Sequence, residues 1–109
     1  MTPKDVLVEM RRLIEEVGWT QDYDARDQEG EAVDPCSEVA ACFCLGGALH
    51  RAEHGGNAPH SVRDEVRLLS TDAIGEGYIP NWNDRRGRTK EEVLQALDIA
   101  IEKSAQFEK

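Results

Sequence analysis

The chain has 109 residues, 22 acidic against 13 basic side chains, a formal net charge of −9 and 39% apolar residues. That length points to one helical domain over 1–109, with a core that buries roughly two-thirds of the unfolded surface. The negative balance argues against duplex nucleic-acid binding, which needs positive charge against phosphate, and it suits a basic partner.

Thr2-Pro3 opens the first predicted helix. Thr2 caps it, Pro3 fits the first turn, and Asp5 stands three residues after the cap. Val6, Met10, Leu13 and Val17 recur at helical spacing, and Gly18 closes the helix. The N-terminus carries no long apolar run, and charges recur too often for a membrane span. The expectation is a cytoplasmic protein with no membrane contact. Its three cysteines, an odd number, suggest no disulfide framework.

Residues 19–36, WTQDYDARDQEGEAVDPC, form a long polar stretch in which Arg26 is the lone cation. Trp19 and Tyr23 are expected to fold back onto the core. The Asp22-x-Asp24 start invites a calcium loop, but the spacing refuses it. The sixth place is Asp27 where a Gly is needed, and the twelfth is Val33 where a bidentate Glu is needed.

A second helix is predicted from a cap at Asp34 or Ser37 to about His54, stopped by Gly55-Gly56. Its middle, AACFCLGGAL over residues 40–49, is apolar all round and reads as the buried central helix. Ala40, Ala41, Cys44, Gly47 and Ala48 share a nearly bare arc that lets another helix approach. His50 and His54 lie one turn apart and can share a metal. Cys42 and Cys44 point about 160° apart on such a helix and cannot both join them. Burial keeps these two thiols inert; Cys36, just before the helix, is the more reactive by position but has no paired base. No metal, cofactor or catalytic residue is expected. Whether Cys36, His50, His54 or His60 meet a metal is left open by the sequence.

Ser61 caps a third predicted helix with Val62, Val66 and Leu69 inward. Residues 72–88 follow as irregular chain, since three glycines and Pro80 argue against helix, with an extended piece at Tyr78-Ile79. The segment NWNDRRGRTKEE, residues 81–92, is the most basic of the chain. Trp82, Asn83, Asp84, Arg85, Arg86 and Arg88 are therefore the candidate binding residues, for an anion or as a protein hot spot. The competing reading is structural: Trp82 plugs the core and Asp84 holds an arginine. Thr89 to Glu92 is a capping box, and the last helix runs with Val93, Leu97, Ala100 and Ile101 inward to about Phe107. The predicted fold is all-α: a compact bundle-like domain of about four helices around a buried central helix, with two long ordered loops.

The order of motifs carries a resemblance. Trp19 follows the first helix, and an Asp-x-x-Gly turn spans Asp27 to Gly30. Phe43 to Leu49 reads FCLxGAL, Trp82 to Asp84 reads WND, and Arg88 to Ile101 reads RTxEEVLxxLDxAI. The chain resembles a family of small uncharacterised proteins, a domain of unknown function, found in bacteria and their phages. The resemblance implies a bacterial or phage origin and transfers no activity and no catalytic residue. The expected function is a non-catalytic, acidic binding or regulatory protein acting through a protein–protein surface. Alternatives are a small metal- or ligand-binding protein, an enzyme among them, using Cys/His or the Trp82–Arg88 loop; a phage antagonist of a host defence complex; and a homo-oligomer.

Overall fold

The structure, a computed structural model, describes residues 2–107. It is mostly helical with a small two-stranded sheet. Helix α1 spans Pro3–Arg12, α2 Leu45–Gly55, α3 His60–Ile74, α4 Ile79–Asn83 and α5 Lys90–Phe107. Strands β1 (Ala25–Arg26) and β2 (Cys42–Phe43) pair antiparallel.

Two of the caps read from the sequence, Thr2 and Thr89, form as expected; Asp34 and Ser37 start no helix, and Ser61 lies inside the third helix, whose cap is Pro59 without a side-chain hydrogen bond. Thr2 Oγ1 accepts from Asp5 N while Thr2 N donates to the Asp5 carboxylate, which holds the Asp5 carboxyl below its ordinary range. Thr89 and Glu92 make the same reciprocal pair at the start of α5. Helix α1 does not stop at Arg12. It widens into a π-helical turn over Leu13–Val17, closed by Gly18 N donating to Leu13 O at 3.0 Å. The wide turn shifts the helical register, so Val17, read as part of the apolar stripe, faces solvent instead.

The second helix departs most from expectation. Residues 34–44 are not helical, and α2 begins only at Leu45. The run from Ala41 to Cys44 is an extended segment held on both sides by backbone. Ala41 N donates to Arg26 O at 2.7 Å and Cys44 N to Asp24 O at 3.1 Å on one side. On the other, Phe43 N donates to Gly18 O and Thr20 N to Phe43 O. An inner strand is apolar on both faces, as a buried helix is, so periodicity does not separate them. Cys44 caps α2, its Sγ accepting from Gly47 N at 3.2 Å.

The central helix is also a different one. Helix α1 packs against α2, α3 and α5 and buries Val6, Leu7, Met10, Leu13 and Ile14 with its π turn. The bare arc of α2 meets loop backbone rather than a helix: a Cβ on Gly47 would lie 1.9 Å from Asp24 O. Helix α3 is longer than predicted, starting at His60 after Pro59 and ending at Gly75 with φ 75°. Tyr78 is extended as expected, with φ −120° and ψ 104°, but Ile79 opens the helical turn α4 within the stretch expected to be irregular, with Pro80 in the first turn, where its missing N–H is harmless. No helix among the described residues is long and apolar enough to cross a membrane.

Candidate functional site

The Trp82–Arg88 segment turns inward. Trp82 is 7% exposed, and the Arg88 guanidinium stacks 3.9 Å from its ring centroid. Arg88 also donates to Trp82 O at 2.9 Å and pairs with Glu92 at 3.0 Å. Asn83 is fully buried and uses both ends of its amide. Its Oδ1 accepts from Trp19 Nε1 and Leu45 N; its Nδ2 donates to Thr20 O and the Asp84 carboxylate. Asp84 in turn accepts from Asp22 N at 2.9 Å. Arg85 is exposed and pairs with Glu76. Arg86 is exposed and makes no ion pair among the described residues. The six residues thus split: Trp82, Asn83, Asp84 and Arg88 tie the first loop, α2 and α5 together, and Arg85 and Arg86 face solvent.

The cysteines and histidines separate likewise. Burial pushes the Cys44 thiol up to about 11, which keeps it protonated and non-nucleophilic near neutral pH. The Cys42 thiol lies 3.9 Å from Arg26 O. Neither stands with the histidines. Cys36 is exposed, and its thiol gathers with Asp34 and His50.

A different surface carries unsatisfied chemistry. A cleft of about 250 Å³ opens between α2, α3 and α4, with Asp24, His50, Glu53, Arg67, Thr71 and Tyr78 on its walls. Glu53 is 5% exposed, and its Oε1 makes no hydrogen bond. The Arg67 guanidinium stands 4.0 Å away, beyond hydrogen-bonding distance, and is itself largely exposed. Thr71 and Gly77 join this cleft to a shallow depression that reaches Leu68, and Leu68 joins that to a groove on the α5 side of α3. The groove is lined by Asp64, Glu65 and Asp72, with Lys103 paired to Asp72. Two large apolar side chains stand proud of this continuous face: Leu68 is 69% and Tyr78 61% exposed.

A family model described as a family of unknown function (DUF6197) matches residues 1–103. The chain belongs to that family. No curated protein and no solved structure matches it. Membership in DUF6197 agrees with the resemblance read from the motifs and assigns no activity, so function rests on the chemistry of the surface.

Glu53, Leu68 and Tyr78 did not stand out in the sequence, yet two of them carry a signal there. Glu53 lies four and eight residues after Leu49 and Leu45, so it is a carboxylate on the apolar stripe of α2. Leu68 falls off the Val62–Val66–Leu69 stripe and must therefore face out. Tyr78 carries no comparable signal. Chemically, this face offers two exposed apolar side chains, an acidic rim and one buried carboxylate whose Oε1 accepts no hydrogen bond.

Proposed function

We propose that this DUF6197 protein is a non-catalytic binding module that holds a basic, apolar-anchored segment of a partner protein on the face of α3. The observation that carries this reading is Glu53: a nine-tenths buried carboxylate whose Oε1 accepts no hydrogen bond and has only the long 4.0 Å pairing to exposed Arg67, on a cleft lined by exposed Tyr78 and adjoining the depression that holds exposed Leu68. A buried acceptor left without a donor is costly, and an incoming lysine or arginine side chain relieves that cost. Leucine and tyrosine beside it supply the apolar area on which such contacts depend. Asp64, Glu65 and Asp72 extend the same sign of charge along the groove. A second copy of the chain is a poor occupant, because two molecules of net charge −9 repel. Three free cysteines fit a reducing compartment, the cytoplasm of a bacterial cell in the setting expected from the sequence.

The test uses a synthetic amphipathic helical peptide of leucine and lysine, with an alanine–lysine peptide of equal charge as control. Amide shifts in the ¹⁵N spectrum are followed during titration. The expected result is that the leucine peptide moves resonances at 53, 64–72 and 77–79, and the control moves them far less. Equal, diffuse shifts over all acidic surfaces with both peptides contradict the reading.

A further inference from the structure

Away from the α3 groove, the loop before β2 and the exposed side of α2 bring together three metal-ligating groups of different chemistry. The Asp34 carboxylate, the Cys36 thiol and a His50 ring nitrogen all lie within 4.8 Å of one another. All three residues are exposed, so an ion can reach them and its ligands can be hydrated until it arrives.

The loop is not loosely placed. Ser37 N donates to Asp34 O at 2.9 Å and Cys36 N to Asp34 Oδ1 at 2.8 Å, which makes a tight turn with Asp34 and Cys36 on it. Arg51 then fastens this turn to α2, donating to Pro35 O at 2.7 Å and to Ser37 O at 3.1 Å. Pro35 is buried. The thiol is thereby presented to the helix residue immediately before Arg51, which is His50. One turn further along, the His54 ring packs against that of His50 at a tilt of 41°, with centroids 4.2 Å apart.

We propose that Asp34, Cys36 and His50 form a binding site for a borderline-soft divalent transition ion, zinc being the expected one. One sulfur, one imidazole nitrogen and one carboxylate oxygen are donor types zinc takes, whereas calcium and magnesium take oxygen alone. A tetrahedral ion with bonds of about 2.0–2.3 Å holds its donors roughly 3.3–3.7 Å apart, so the groups must close by about 1 Å. Exposed side chains make that adjustment by small rotamer changes. The site shares His50 with the wall of the α2–α3–α4 cleft but takes its carboxylate and thiol from another loop, and cobalt binding is read without peptide, so the failure of either reading leaves the other standing.

The experiment titrates Co²⁺ into the reduced full-length protein after removal of adventitious metal and follows the near-ultraviolet thiolate-to-cobalt band, then adds Zn²⁺. The expected result is a band saturating at one equivalent and bleached by one equivalent of zinc, which binds more tightly than cobalt in a shared site. Cys36→Ser abolishes the band. His50→Ala weakens zinc, measured by competition with a chromophoric chelator, by more than the roughly 10–100-fold that outer-shell changes cost. Cys42→Ser leaves both readouts unchanged. Circular dichroism of each variant confirms the fold, and none of the three side chains is in the core. No cobalt band in the wild type, a band that persists in Cys36→Ser, or zinc affinity unchanged in His50→Ala overturns the proposal.

Discussion

Asn83 Oδ1 accepts a hydrogen bond from Trp19 Nε1 at 2.8 Å across 64 residues of chain, and the same oxygen takes Leu45 N at the start of α2. One buried amide thereby joins the first loop, a helix N-terminus and the turn before α5. Replacing Asn83 with leucine leaves the Trp19 and Leu45 donors and the Thr20 carbonyl without partners. The expected loss is about 3 kcal/mol, since each stranded buried group costs on the order of 1–3 kcal/mol and some are rehydrated. Urea unfolding monitored by tryptophan fluorescence measures it. A loss below about 0.5 kcal/mol would show the network to be dispensable.

Neighbouring glycines in α2 should respond oppositely to alanine. A methyl at Gly47 collides with the Asp24 carbonyl at 1.9 Å, and that backbone is held by Cys44 N. Gly47→Ala is expected to cost at least about 3 kcal/mol. At Gly46 the methyl meets only Cys44 Sγ at 3.8 Å and Ile79 Cγ2 at 3.9 Å, ordinary contacts. Gly46→Ala is expected to raise stability by about 0.5–1 kcal/mol through helix propensity. Thermal melts of the two variants check the contrast, and equal effects contradict it.

The Cys44 thiol, raised by burial from 9.0 to about 11, gives a pH signature. Its folded pKa exceeds the unfolded one, so above pH 9 the unfolded chain loses a proton that the folded chain keeps. Stability from this group is complete below pH 9 and falls as pH rises from 9 towards 11. In Cys44→Ala the decline over that window should be shallower than in the wild type, on a baseline lowered by loss of the cap to Gly47 N. Parallel declines in denaturant midpoints across that pH range contradict the assignment. At pH 8 a thiol reagent should label exposed Cys36 well before Cys44.

Local chemistry made the starts of α1 and α5 legible, because the Thr2–Asp5 and Thr89–Glu92 boxes need only four consecutive residues; the starts of α2 and α3, at Cys44 and Pro59, carry no such box. The apolar run at 40–49 was legible as core and not as strand plus helix, because neither form exposes a polar face there. What converts Ala41 to Cys44 into an extended segment is backbone pairing with residues 18–20 and 24–26, set by tertiary structure. In the WND segment, tryptophan beside arginines has the same sequence signature whether stacked inward or presented outward. Arg88 stacks over buried Trp82 through a contact no spacing rule encodes. The surface around Glu53 and Leu68 was written as two exceptions to helical stripes, one carboxylate inside and one leucine outside.

Glu53 and Leu68 are proposed to act together on a basic segment. Isothermal titration of the leucine–lysine peptide into the wild type, Glu53→Gln, Leu68→Ser and the exposed α5 control Ile99→Ser tests it directly. The predicted result is a loss of about tenfold or more in affinity for Glu53→Gln and for Leu68→Ser, the size of a hot-spot truncation. The Ile99→Ser variant should match the wild type. Wild-type affinity in both Glu53→Gln and Leu68→Ser would contradict the account.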